Sequence, residues 1–203
     1  FLGYIYNFTS IMVGPTFEYV TYEKAILTEQ EKAPKNITAN QGGSIMDKLG
    51  RFFNSNLYLA ATHRLVISLI CMAAFSTMSA AGWESYFSYD KVWLAEHPSY
   101  LYRYYHIFVT MASHRFKYYF IWKIAEGACI LSGQGFSGYD KDGNSWYRAA
   151  ENMDIWGFEI SSSVSILSRC WNKGTQGWLE RYSYTRLNRN LMAVYLISAI
   201  WHG

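Results

Sequence analysis

The chain has 203 residues, of which 51% are hydrophobic, 19% aromatic and 16% charged, and its formal net charge is +3. A typical soluble domain carries about 25% charged residues, so this composition favours a membrane protein. The small net charge, without a compact basic run, excludes nucleic acid as an expected partner, and three scattered cysteines predict neither a disulfide framework nor a metal site.

The length suits one domain or part of one. Because the sequence begins at Phe1 and ends inside an apolar segment, we expect residues 1–203 to be part of a single domain, truncated at both ends. The apolar segment at the beginning of the chain ends at Gly14-Pro15. Proline restricts the backbone conformation of the residue before it and has no backbone N–H to donate. Glu23 to Lys48 then has the charges and turn residues of a surface connection.

Tyr58 to Trp83 contains the clearest predicted membrane span. Within it, Leu65 to Gly82 gives 18 residues without a charge, which is long enough to cross a hydrocarbon core. Arg64 lies near the start of the span, where we expect its side chain to extend to the membrane interface. Glu84 to Ser99 is predicted to be an exposed connection.

Tyr100 to Leu131 is aromatic throughout but carries several charges. We expect two helices broken near His114-Arg115, the second running from Phe116 to Leu131. Lys123 and Glu126 are three residues apart, so they can pair on one helical face. The pair either faces a polar reaction chamber or is purely structural.

Gly133 to Asp142 is a glycine-rich loop, but it lacks the Lys-Ser/Thr ending of a nucleotide-binding loop, which excludes that function. Glu159 to Ser168 is rich in serine and is expected to lead into the next helix and to include its cap.

A helix from Trp171 to Arg186 places apolar and polar residues on one face. That face contains Trp171, Thr175, Trp178, Leu179, Tyr182 and Arg186, with Asn172 and Gln176 at its edge. Spacing alone favours a capping or core-bridging amide for Asn172.

The apolar run from Leu191 to Trp201 has no charge. As a helix it carries His202 about 17 Å from its start, close to the midplane of a hydrocarbon core about 30 Å thick. An ionisable side chain there is by default functional, and histidine suits general-base chemistry near neutral pH. The alternative is a buried neutral histidine bonded to a backbone carbonyl.

These residues carry a family resemblance. The chain resembles the signature of the membrane-bound O-acyltransferase family at Trp171-Asn172, Thr175, Trp178-Leu179, Tyr184, Arg186 and Ala199-Ile200-Trp201-His202-Gly203. It resembles the lysophospholipid acyltransferase branch at Gly14 to Tyr19, Gly133 to Asn144 and Asn152 to Trp156. The Gly133 to Asn144 pattern is more similar to enzymes acting on lysophosphatidylethanolamine and lysophosphatidylserine than to those acting on lysophosphatidylcholine.

The resemblance implies an all-α fold, a polytopic transmembrane helical bundle around a reaction chamber, in a multi-pass protein of the endoplasmic reticulum membrane. It implies that His202 and Asn172 are the catalytic pair. Trp171, Thr175, Trp178 and Arg186 are the expected substrate-binding residues. The oligomeric state is not predicted.

The implied reaction moves a fatty acyl group from acyl-CoA to the free hydroxyl of a lysophospholipid in phospholipid remodelling. His202 is expected to act as general base and Asn172 to assist, without an acyl-enzyme. Acyl-CoA is a co-substrate, and no metal or bound cofactor is expected. Lys173, Arg181 and Arg186 either attract substrate phosphates or form a solvated positive face.

Two other hypotheses remain. The chain could be a non-catalytic membrane transporter or lipid-binding scaffold, in which His202 and the Lys123 and Glu126 pair line a pathway. Alternatively, Cys170 could be an acyl-accepting nucleophile, although no histidine is close in sequence to activate it.

Overall fold

The computed structural model describes residues 5, 18–27, 45, 53, 56–83, 91–139 and 145–202. For residues 24–27, 201 and 202 the description covers the backbone alone. Most of the predicted apolar start and most of the Glu23 to Lys48 connection lie outside it, as do residues 84–90 and 140–144.

The described part is mostly helical, as expected of the all-α class. Its α-helices in chain order are α1 (Tyr19–Leu27), α2 (Leu57–Ala80), α3 (Lys91–Glu96), α4 (Tyr100–Leu131), α5 (Ile155–Glu159), α6 (Val164–Cys170), α7 (Lys173–Leu179) and α8 (Leu191–His202). A π-helix, Glu180–Tyr184, follows α7 directly. Two short antiparallel strands, β1 (Gly138–Tyr139) and β2 (Ser145–Trp146), form a hairpin between α4 and α5.

Helix α2 contains the predicted membrane span. It begins after Asn56, whose side chain accepts hydrogen bonds from the backbone N–H groups of Tyr58 and Leu59. In the part of the chain that the structure describes, α2 is the one helix long and apolar enough to cross a membrane. The shorter apolar helix α8 confirms the predicted helical run from Leu191.

Helix α4 is continuous over 32 residues, so the predicted break near His114-Arg115 is wrong. No glycine or proline interrupts the backbone there. The charges that suggested a break have partners instead. Arg115 Nε lies 2.9 Å from Glu159 Oε1, and Lys123 Nζ lies 2.7 Å from Glu126 Oε2.

Small residues allow α2 and α4 to pack closely. A Cβ added to Gly127 of α4 would lie 3.5 Å from the backbone oxygen of Ala61 on α2. Farther along, the hydroxyl of Ser68 donates to the Phe120 carbonyl at 3.0 Å. Cys71 and Cys129 are buried, as predicted for small core residues.

The prediction that Arg64 extends to the interface is wrong, because its side chain is buried between α2 and α4. Its Nε lies 3.3 Å from Glu126 Oε2, and its Nη1 lies 2.8 Å from His63 Nδ1. A buried guanidinium is retained where a carboxylate compensates its charge. Glu126 supplies that carboxylate.

The predicted helix from Trp171 to Arg186 is present from Lys173 to Tyr184, as α7 followed directly by the π-helix. Helix α6, capped as expected by a serine, Ser163, ends at Cys170. Trp171 is extended, and Asn172 adopts the left-handed conformation with φ 48°. The helix thus begins at Lys173 rather than at Trp171. Its first backbone N–H, that of Lys173, has no acceptor within the helix and donates to the carbonyl of Asn152 at 2.8 Å.

Candidate functional site

A cavity of about 1070 Å³ lies between α6, α7, the π-helix and α8. Its α8 wall is largely apolar and is formed by Leu191, Val194, Tyr195 and Ser198. The rest of the lining combines apolar residues, such as Trp171 and Leu179, with the polar residues Arg169, Asn172, Thr175 and Gln176. Such a cavity matches the volume and mixed lining of small-molecule sites, with a few polar groups set against an apolar surface.

Asn172 is one of the polar residues that line this cavity. It occupies the cap position of α7, but its side chain makes no capping hydrogen bond, so of the two interpretations from spacing the cap is wrong and the bridging amide is confirmed. Its Oδ1 instead accepts a hydrogen bond from Asn152 Nδ2 at 3.2 Å. The amide therefore bridges two segments of the chain while remaining in contact with the cavity.

Asn152 is 3% exposed and is held by groups on two sides. Its Oδ1 accepts from the backbone N–H of Gly174 at 2.9 Å. Its own backbone N–H donates to Glu126 Oε1 at 2.9 Å, and that of Met153 donates to the same oxygen at 3.1 Å. Sequence reasoning missed this function of Asn152, because no spacing rule indicates that α4 and α7 hold the same loop.

The Lys123 and Glu126 pair is buried between α4 and this loop. Lys123 Nζ also donates to the carbonyl of Met153 at 2.5 Å. Neither side chain is part of the described lining of the 1070 Å³ cavity. Of the two interpretations left open by the sequence, the structural pair is the one that these contacts support.

The four predicted substrate-binding residues divide into two groups. Trp171 and Thr175 line the cavity. Trp178 and Arg186 are not part of its described lining; the Trp178 ring lies 6.1 Å from that of Tyr182, and the Arg186 guanidinium lies 5.1 Å from the same ring. Their assignment as substrate-binding residues stays a prediction.

His202 is the last residue of α8, and its side chain lies outside the described part of the chain. The lining positions of α8 recur at 191, 194, 195 and 198, which is the repeat of one helical face. Position 202 follows Ser198 by four residues and continues that face in helical register. The role of His202 stays a prediction.

Two of the predicted phosphate-attracting residues are paired with carboxylates. Lys173 Nζ lies 2.5 Å from Glu151 Oε1, and Arg181 Nε lies 2.5 Å from Glu18 Oε1. Arg169, which sequence reasoning did not single out, is exposed and lines the cavity.

Glu151 is anchored by two cations. Arg148 Nε lies 2.5 Å from Glu151 Oε2, and Lys173 Nζ lies 2.5 Å from Glu151 Oε1. Burial by itself raises the pKa of Glu151, but the hydrogen bonds and charge of Arg148, with the charge of Lys173, outweigh burial and lower the pKa from 4.5 to about 2. The carboxylate is therefore ionised at neutral pH and holds α7 to the loop.

Cys170 is not among the described residues that line the cavity. It is 8% exposed and lies against Gly157, where an added Cβ would come within 2.9 Å of Cys170 Sγ. Burial raises the pKa of its thiol, so the thiolate is disfavoured. These features suit a packed core thiol rather than a nucleophile.

Comparison with known proteins gives a consistent result. The family model for MBOAT, the membrane-bound O-acyltransferase family, matches residues 1–203. A lysophospholipid acyltransferase of Schizosaccharomyces pombe is 31% identical over 216 residues, covering 100% of this chain and 39% of that protein. Membrane-bound glycerophospholipid O-acyltransferase 1 of Homo sapiens is 28% identical over 204 residues, covering 100% of this chain and 40% of that protein. The chain thus spans about two fifths of the length of these relatives.

Proposed function

Because the chain belongs to the membrane-bound O-acyltransferase family, we propose that it is the part of a lysophospholipid acyltransferase that carries the reacting groups. The acyl donor is acyl-CoA and the acceptor is the free hydroxyl of a lysophospholipid. The observation that carries the proposal is the cavity, whose lining contains Asn172 and Thr175 together with one face of α8.

In this proposal, His202 removes the proton from the lysophospholipid hydroxyl as its oxygen attacks the thioester carbonyl. The carbon–sulfur bond then breaks, the acyl group stays on the new oxygen, and the proton passes from His202 to the departing thiolate of CoA. The NH₂ group of Asn172 donates a hydrogen bond to the oxyanion that develops on the carbonyl oxygen. Transfer is direct, since Cys170 lies outside the described cavity lining.

The chemistry of the cavity suits the two substrates. The largely apolar lining face of α8 favours an acyl chain, whereas Arg169 in the same lining suits a phosphate, since a guanidinium binds phosphate oxygens in pairs. Among acceptors, the Gly133 to Asn144 pattern favours lysophosphatidylethanolamine or lysophosphatidylserine. We place the complete enzyme as a multi-pass protein in the endoplasmic reticulum membrane.

The test is an acyl-transfer assay of the full-length enzyme in membranes, with variants at equal expression. His202→Ala should lower turnover by roughly 10²-fold to 10⁴-fold, the usual scale of positioned proton transfer. Asn172→Gly should lower it by about 10²-fold to 10³-fold, the scale of one lost oxyanion donor. Glycine is chosen because it removes the amide and still accepts the left-handed backbone of position 172.

Arg181→Ala is a matched control, because Arg181 is exposed and paired with Glu18 outside the described lining of the cavity. It should keep parental turnover. Near-parental turnover of His202→Ala would contradict the general-base assignment. A clear preference for a sterol over a lysophospholipid acceptor would contradict the substrate class.

A further inference from the structure

A chain of hydrogen bonds determines which end of the Asn172 amide faces the cavity. It begins at the backbone N–H of Gly174, which donates to Asn152 Oδ1 at 2.9 Å. It continues from Asn152 Nδ2, which donates to Asn172 Oδ1 at 3.2 Å. Each step connects a donor to an acceptor, so reversing one amide would require reversing the next.

The first step sets the direction of the others. A backbone N–H can only donate, so the oxygen of the Asn152 amide must face Gly174. The NH₂ group of Asn152 then faces Asn172, and Asn172 must present its oxygen to it. The NH₂ group of Asn172 is left as the end available to the cavity that this residue lines. That end is the one needed to stabilise an oxyanion.

Asn152 is itself held in place by its backbone. Its N–H donates to Glu126 Oε1 at 2.9 Å, and its carbonyl accepts from the N–H of Lys173 at 2.8 Å. Glu126 is 1% exposed and is fixed by Lys123 at 2.7 Å and Arg64 at 3.3 Å. The orientation of Asn152 is therefore anchored on α2 and α4, which are the long helices of the described part.

We propose that Asn152 is a positioning residue, which fixes the amide of Asn172 with its donor end toward the reacting carbonyl, and that Glu126 holds Asn152 for this purpose. This inference rests on the proposed function, because it assigns Asn172 as a hydrogen-bond donor in acyl transfer. Neither Asn152 nor Glu126 belongs to the described cavity lining, so both act through Asn172.

The decisive variant is Asn152→Asp in the full-length enzyme. Aspartate has the shape of asparagine and still accepts from Gly174, but its second oxygen cannot donate to Asn172. The Asn172 amide then turns its NH₂ group toward the new carboxylate and its oxygen toward the cavity. We expect kcat to fall by roughly 10²-fold to 10³-fold, as for a lost oxyanion donor, and kcat/KM to fall equally.

Two readouts separate positioning from a general effect on folding. First, Asn152→Asp introduced into Asn172→Gly should cause no further fall in kcat, because the group that it orients is already absent. Second, lowering the pH should narrow the gap between Asn152→Asp and the parental enzyme, because a protonated carboxyl regains a donor. Comparing the two enzymes at each pH removes the titration of His202, which both share.

The outcomes are distinct. Parental kcat in Asn172→Gly would contradict the donor role of Asn172 and thus the proposed mechanism. A loss in Asn172→Gly, combined with parental kcat in Asn152→Asp or with the same fold-loss in both backgrounds, would contradict the positioning role alone. If Asn152→Asp does not fold, Asn152→Ser takes its place in the same cycle, since it also removes the amide donor to Asn172.

Discussion

Lys173 Nζ lies 2.5 Å from Glu151 Oε1, so an ion pair joins the first residue of α7 to the loop before α5. Arg148 holds the other oxygen of the same carboxylate. This arrangement predicts an acid-dependent loss of stability. The pKa of Glu151 is lowered from 4.5 to about 2, so its stabilising effect is complete above pH 4.5 and is lost as the pH falls toward 2.

At neutral pH the shift corresponds to about 3 kcal/mol of folding free energy. Glu151→Gln should therefore unfold at a lower temperature than the parental protein at pH 7. The difference should shrink as the pH is lowered from 5 to 3. Thermal unfolding in detergent, followed by tryptophan fluorescence, measures both quantities. A difference that is the same at pH 7 and pH 3 would contradict the assignment of the lowered pKa.

Glu126→Gln should destabilise the protein much more than a comparable change at the surface. Removing the charge leaves the buried cations Arg64 and Lys123 uncompensated, which typically costs about 3 to 5 kcal/mol. Glu18→Gln is the control, because its partner Arg181 is 56% exposed and such pairs contribute about 1 kcal/mol or less. Equal unfolding temperatures for the two variants would show that the buried ion pairs of Glu126 stabilise the protein no more than the exposed pair of Glu18.

Gly157→Ala should be destabilising because the added methyl group has no room. Its Cβ would lie 2.7 Å from Asp154 Oδ2 and 2.9 Å from Cys170 Sγ, and such overpacking typically costs about 1 to 3 kcal/mol. Replacing Cys170 with alanine in the same chain should recover part of the loss. Unfolding temperatures of the single and double variants give the measurement.

Gly127→Ala provides a matched comparison within α4. There the nearest atoms to the added Cβ are at 3.5 Å, an ordinary contact, and alanine favours a helix interior by about 1 kcal/mol over glycine. We expect unchanged or raised stability. A loss equal to that of Gly157→Ala would mean that the α2 and α4 contact is tighter than the structure indicates.

Cys170→Ser should keep near-parental acyl transfer in full-length enzyme. The thiol is buried, its pKa is raised by burial, and it lies outside the described lining of the cavity. Single-turnover reactions with labelled acyl-CoA, quenched in acid, check the same point. Accumulation of a thioester on Cys170 would contradict direct transfer and favour a covalent mechanism.

Several features were predictable because they depend on local pattern. The uncharged stretch after Arg64 predicts α2, and the spacing of Lys123 and Glu126 predicts their ion pair. The serines before Arg169 predict the cap of α6. The family also follows from a signature of residues close together in sequence.

The remaining features depend on contacts between distant segments. Trp171 and Asn172 lie between α6 and α7, where the backbone N–H of Lys173 donates to the carbonyl of Asn152, and nothing near Trp171 in the sequence reveals that contact. Arg64 is buried because Glu126 lies on the neighbouring helix, 62 positions later. The position of Arg64 near the start of the predicted span indicated the membrane interface, whereas its ion pair with Glu126 places its side chain in the interior.

The length of α4 would constrain its position if this helix crossed a bilayer. Its 32 residues give a rod about 48 Å long, whereas the hydrocarbon core is about 30 Å thick. Even at a tilt of about 40°, near the upper end of the usual range, the rod still covers about 37 Å along the membrane normal. A transverse α4 must therefore leave part of itself in the headgroup layer. Tyr100 and Tyr104 at its first turns are 83% and 78% exposed, and tyrosine is enriched at that depth, so we expect the amino-terminal end of a transverse α4 to lie in the headgroup layer.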